Sequence, residues 1–140
     1  MGLAFGHLMV KTGLAEAVGR GMVALIGENA LWRLTAVAIG TTLILTELAS
    51  NTAAASMLVP VVIAIAQSAN VSPVPPTLGV CVAASLAFVL PVSTPPNAIV
   101  YGTGLVPLIN MLWAGVILDI LGAGLIFLVL RLMCPLLGLI

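Results

Sequence analysis

The sequence predicts an all-α membrane protein, and three observations predict it. Of its 140 residues, 62% are hydrophobic and only 6% are charged, where a soluble domain carries about 25% charged residues. Between Glu47 and Asp119 there is no Asp, Glu, Lys or Arg. Inside that charge-free stretch the polar side chains gather in two short knots, Ser50-Asn51-Thr52 and Ser93-Thr94-Pro95-Pro96-Asn97. Hydrocarbon does not tolerate unpaired amides and hydroxyls, so such knots must face protein, water or a ligand. Polar groups at membrane depth are functional candidates for the same reason.

Composition also excludes several classes of function. The formal net charge is +0, so no basic stripe exists to neutralise the phosphates of a nucleic acid. Cys81 and Cys134 lie in apolar runs, match no metal-ligand spacing and read as small hydrophobes. His7 reads as an interfacial side chain. No nucleophile–base pair, Gly-rich phosphate loop or metal cluster emerges, which argues against an enzyme. Asn70-Val71-Ser72 fits a glycosylation sequon by chance, with Pro73 directly after it. Met1-Gly2-Leu3-Ala4-Phe5-Gly6 has neither the basic start nor the cleavage site of a signal peptide, so the chain is expected to begin inside a larger protein.

The elements follow in order. Over residues 7–29, Leu14, Val18, Met22 and Leu25 share one helical face while Lys11, Glu16 and Arg20 take others. That pattern predicts an interfacial amphipathic helix, with a transmembrane helix end bearing snorkelling charges as the alternative. Leu31–Ala49 and Ala53–Ala69 are apolar arms, the second containing Pro60. Neither arm is a clean span of about 20 residues. Together they predict a re-entrant helical hairpin over 31–69 with its tip at 50–52, against a kinked transmembrane helix. Ser72, Pro73, Pro75 and Pro76 mark a loop with a helix start after it. Leu78–Leu90 is apolar and expected to be helical until Pro95-Pro96 removes backbone donors and drives Thr94 out of the α region. This predicts a broken transmembrane helix over 77–104 with its loop at 93–97. Such a break is tolerated in a membrane only where the freed backbone groups line a cavity or are buried in protein. Residues 108–134 form a final transmembrane helix, with Trp113 and Arg131 as interfacial anchors. Asp119 lies within it without an assigned partner.

Broken helices expose carbonyls at one end and amides at the other. Carbonyl ends suit a cation such as Na⁺; amide ends suit a carboxylate or another oxyanion. Neither knot contains Lys or Arg, so an anion would be held by amide and hydroxyl dipoles. Discontinuous helices meeting at the bilayer midplane are a recurring device of secondary transporters.

The residues that carry this chemistry resemble a known family. Thr46-Glu47-Leu48-Ala49-Ser50-Asn51-Thr52-Ala53, then Leu58-Val59-Pro60, then Phe88 through Val100, resemble the C-terminal half of the divalent-anion/sodium symporter (DASS) family. The opening Gly2-to-Leu14 segment is similar to a Gly-rich helix that precedes the outer hairpin in that family. The resemblance implies homodimers of two inverted repeats that carry dicarboxylates, tricarboxylates or sulfate with Na⁺ by an elevator movement. Carried over, it implies substrate contacts from Ser50, Asn51, Thr52, Thr94 and Pro95. Na⁺ would lie among Thr46, the Ala49 backbone, Asn51 and Ser93, with Pro96 and Asn97 supporting the loop. Thr94 tilts the expected cargo towards a C4-dicarboxylate (succinate, malate or fumarate) or citrate rather than sulfate. Na⁺ would be the coupling ion, with no other cofactor, and the plasma membrane of a bacterium the expected location.

The first Ser-Asn-Thr hairpin and the first Na⁺ site of the family are missing from these residues. The chain is therefore expected to be a C-terminal transport-domain half, a truncated product or partial sequence lacking the N-terminal half. A non-transporting membrane remnant is the competing class. A half-transporter pairing antiparallel with itself fits poorly, because Lys11, Arg20 and Arg33 cluster early against Arg131 alone late.

Overall fold

The computed structural model describes residues 30–140 and, before them, Lys11 alone. The interfacial helix expected over 7–29 lies outside the described residues. Five helices follow: α1 (Ala30–Leu48), α2 (Asn51–Ser68), α3 (Val74–Ala83), α4 (Pro95–Gly102) and α5 (Leu108–Leu136). No strand occurs among the described residues. The fold is all-α.

Local chemistry sets most helix ends. Ser50 is the N-cap of α2, extended at φ −66°, ψ 147°, and its Oγ accepts the Ala53 N–H at 3.2 Å. It thereby satisfies one of the orphan donors of the first turn. Prolines open α3 and α4, where a missing N–H costs nothing. Along α1, Leu34, Thr35, Ala38, Ile39, Thr42 and Thr46 are buried, a recurrence that puts them on one helical face.

That face organises the packing. Leu34, near the start of α1, clusters with Ile65 and Ala66 near the end of α2, and Ala38 clusters with Val62 and Val80. The chain thus doubles back at residues 49–50, and α1 and α2 lie antiparallel. Helix α3 runs alongside α1, and α5 returns against both, joining Leu130 and Cys134 to Ile39 and Ala83. Trp32 meets Phe127 edge-to-face at 6.0 Å and lies 5.7 Å from the Arg131 guanidinium. Buried Thr35 and Thr42 donate to the carbonyls one turn back, Leu31 at 2.8 Å and Ala38 at 2.6 Å, so neither needs a partner outside the helix.

The outer surface is apolar. Ile109, Trp113, Ile117, Leu121, Leu125 and Leu128 are exposed along α5, a face that water would not support and lipid does. Helices α1, α2 and α5 are each long and apolar enough to cross a membrane. The chain is an integral membrane protein.

One boundary departs from expectation. The helix expected to run through Leu90 ends at Ala83, and residues 84–94 are non-helical. Tertiary partners have replaced the helical ladder there. The Ala84 carbonyl accepts from Thr46, the Ala87 and Leu90 carbonyls accept from Asn97, and the Val89 and Leu90 amides donate to Glu47. The prolines placed in a loop at 93–97 instead form the first turn of α4, after a Thr94 N-cap. Helix α5 can press against this unwound segment because Gly115 has no side chain. A Cβ there would overlap the Phe88 carbonyl and the Val89 Cα, both backbone, which cannot swing aside.

Replacing Gly115 with valine is expected to push α5 off residues 88–89 and cost about 1–3 kcal/mol. Thermal unfolding in detergent would measure the loss. Gly124, with nothing within 4 Å of a built Cβ, should accept alanine without loss.

Candidate functional site

The tip of the α1–α2 hairpin and the unwound segment meet through one side chain, Glu47. Its Oε1 accepts the Val89 N–H at 3.0 Å and its Oε2 accepts the Leu90 N–H at 2.9 Å. The Ser93 hydroxyl donates to the same Oε2 and also lies 3.4 Å from the Glu47 carbonyl. A carboxylate taking three donors is strongly held. It pins the second break to the end of α1.

Thr46, fully buried, makes the second tie. Its Oγ lies 2.8 Å from the Asn51 side-chain oxygen position and 2.9 Å from the Ala84 carbonyl. A hydroxyl has one proton to give, so both contacts are met when the Asn51 amide is turned to present its nitrogen; the two amide orientations share heavy-atom positions. That turn leaves the Asn51 amide oxygen for another partner.

A cavity of about 210 Å³ opens between the two breaks, lined by Glu47, Leu48, Ala49, Ser50, Val92 and Ser93. The C-terminal carbonyls of α1 and the N-terminal amides of α2 come together beside it, placing opposite partial charges of about half a unit on either side of the turn. Asn51 and Thr52 occupy the first turn of α2, where helix geometry leaves their N–H groups without intrahelical acceptors. Helix α4 offers less, because Pro95 and Pro96 in its first turn have no N–H. The amide end suited to an anion is therefore that of α2. Among the described residues the basic side chains are Lys11, Arg33 and Arg131; Arg131 sits against Trp32, at the far end of α1 from Glu47.

The residues singled out from sequence fall into three groups. Ala49, Ser50 and Ser93 line the cavity, and Thr46 and Asn51 touch each other beside it. Thr52, Thr94 and Pro95 lie outside its lining. Thr52 is exposed, and Thr94 is an extended N-cap whose side chain makes no capping bond. Pro96 follows Pro95 in the first turn of α4, and Asn97 Nδ2 bridges the Ala87 carbonyl at 2.8 Å and the Leu90 carbonyl at 3.1 Å. Glu47 went unassigned from sequence although it makes the central contact. The signal was available: it is the last charge before the charge-free stretch, and Asp119, the next one, lies against it in the fold.

Comparison with known proteins gives the family of the chain. The model of the sodium:sulfate symporter transmembrane region matches residues 1–140. The chain is 37% identical over 121 residues to the sodium-dependent high-affinity dicarboxylate transporter 2 of Caenorhabditis elegans, covering 85% of this chain and 22% of that protein. It is 36% identical over 134 residues to the sodium-dependent dicarboxylate transporter SdcS of Staphylococcus saprophyticus, covering 96% of this chain and 26% of the relative. The Na(+)/citrate cotransporter of Rattus norvegicus is 40% identical over 83 residues, 59% of this chain and 14% of that protein. The chain thus spans about a quarter or less of the length of these relatives.

Replacing Asn97 with alanine is expected to strand the Ala87 and Leu90 carbonyls and cost about 1–3 kcal/mol. Hydrogen exchange should locate that loss within residues 84–94 and leave the α1–α2 hairpin protected.

Proposed function

The chain belongs to the sodium:sulfate symporter family, and from that premise we propose that it supplies half of the substrate site of a Na⁺-coupled carrier of divalent organic anions. The observation that carries this reading is the cavity between the breaks, where α1 carbonyls, α2 amides and the Ser50 and Ser93 hydroxyls converge, with no basic side chain lining it among the described residues. A family of transporters makes catalysis an unneeded role. The relatives named for dicarboxylate and citrate transport support a C4-dicarboxylate or citrate as cargo. Sulfate is the second reading, favoured by the description of the family itself.

In this reading Na⁺ is held by Thr46, the Ala49 backbone oxygen, Asn51 and Ser93. One substrate carboxylate rests on Ser50, Asn51 and Thr52, whose helix end carries partial positive charge, with Thr94 and Pro95 closing from α4. Pro96 and Asn97 hold the loop. Cation and anion then neutralise each other across the turn, and neither needs a fixed charge from the protein. Transport proceeds when a second set of ligands, from the complementary half of a homodimeric carrier, completes the site.

The hairpin is read as re-entrant, its tip buried within the bilayer. Supporting this, Gly115 packs on residues 88–89, which Glu47 ties to the end of α1, about 11 Å along an α5 that is about 43 Å long at 1.5 Å per residue. A polar turn at that depth needs partners for its groups: Ser50 lines the cavity, Asn51 touches Thr46, and the exposed Thr52 is left for the complementary half. The plasma membrane of a bacterium is the proposed location, in keeping with the staphylococcal relative.

Sodium-dependent uptake of radiolabelled succinate into vesicles, by a complete carrier containing this segment, tests the proposal. Asn51→Ala and Ser93→Ala should each lower uptake about tenfold or more, the equivalent of one hydrogen bond to an ion. Excess sulfate should compete poorly if the cargo is a dicarboxylate. Undiminished uptake by both variants would remove the site.

A further inference from the structure

Arg131 has no part in the cavity. It is exposed near the end of α5, and its guanidinium lies over the Trp32 ring at 5.7 Å. Trp32 is itself fixed in place. It packs on the buried cluster of Ile39, Ala83, Leu130 and Cys134 and meets Phe127 edge-to-face at 6.0 Å. A cation–π contact positions a guanidinium without consuming its five N–H donors, whose fork geometry matches a pair of phosphate oxygens. An arginine on an apolar helix is tolerated at headgroup depth and costly at the bilayer centre.

From Arg131 towards the middle of α5, Leu128, Gly124, Leu121 and Ile120 follow on the same helical face. The three large side chains are exposed, and nothing lies within 4 Å of a Cβ built on Gly124. The stripe is therefore apolar, with a notch between Leu121 and Leu128, and it is continuous with the lipid-facing surface of α5. From Arg131 to Leu121 it runs about 15 Å at 1.5 Å per residue, half of a hydrocarbon core of about 30 Å. A fixed guanidinium above one leaflet's depth of exposed apolar surface fits one phospholipid, phosphate at the top and acyl chain below. Charge then selects the headgroup. A zwitterionic lipid brings its own ammonium, which competes for the phosphate and sets a second cation beside Arg131. The Trp32 face that would attract that ammonium is already taken by the guanidinium. An anionic headgroup offers the phosphate alone.

We propose that Arg131, Trp32 and the Gly124 notch form a binding site for an anionic phospholipid. Its phosphate meets the guanidinium edge, and one acyl chain lies along α5 from Leu128 to Leu121. The lipid braces the start of α1 against the end of α5, and its binding does not depend on which ion the carrier moves.

Trp32 reports on this site once Trp113, the other tryptophan of the chain, is replaced by phenylalanine. The full chain carrying Trp113→Phe is placed in phosphatidylcholine nanodiscs in which part of the lipid has brominated acyl chains, which quench tryptophan on contact. Brominated phosphatidylglycerol is expected to half-quench Trp32 at a mole fraction about fivefold lower than brominated phosphatidylcholine, the effect of one guanidinium beside an anionic headgroup. Arg131→Gln should erase that preference, and Gly124→Leu, which fills the notch without touching the charge, should weaken it. Inorganic phosphate should relieve the quenching no more than chloride of equal ionic strength. Equal quenching by the two lipids, a preference that survives Arg131→Gln, or specific displacement by inorganic phosphate overturns the proposal. Should Arg131→Gln fail to fold, the comparison of the two lipids with Arg131 in place decides alone.

Discussion

The carboxylate of Glu47 is the contact on which the arrangement of the site depends. A helix interrupted inside a membrane must find partners for every freed amide and carbonyl, because hydrocarbon offers none. Here the Val89 and Leu90 amides find theirs in one side chain from the other end of the site. Each such charge-assisted bond contributes about 1.5–3 kcal/mol. A neutral side chain at position 47 would leave two amides short of a strong acceptor and untie the cavity walls from each other.

The rest of the unwound segment obeys the same accounting. Its carbonyls at Ala84, Ala87 and Leu90 are met by Thr46 and Asn97. Residues 84–94 are thus held by three polar side chains, two from the helix end before the tip and one from the start of α4. The cavity that results is lined by the Glu47 carboxylate together with Leu48, Ala49, Ser50, Val92 and Ser93. With that carboxylate already held by three donors, an ion that enters meets mainly hydroxyl, amide and carbonyl dipoles, which attract without the depth of a fixed salt bridge.

Much of the architecture was legible in the residues. The charge-free stretch announced a membrane protein, and Ser50 and the Pro95-Pro96 pair mark where α2 and α4 begin, because capping and proline chemistry act locally. The length of the second break was not legible. Leu86 through Leu90 is apolar and reads as a continuation of α3; only the distant acceptor Glu47 and the distant donor Thr46 make unwinding affordable there. The same holds for Gly115, unremarkable among the many glycines until α5 is seen against the Phe88 carbonyl.

Proximity of the two breaks in the folded membrane protein is the most direct test of this account. Cysteines at Ala49 and Val92, residues on opposite walls of the cavity, would be introduced after replacing Cys81 and Cys134 with serine or alanine. A short bis-maleimide linker should join them efficiently in native membranes, and Glu47→Ala should sharply reduce the yield. Failure to cross-link with Glu47 present, or a yield indifferent to its removal, would contradict the claim that this carboxylate holds the site together.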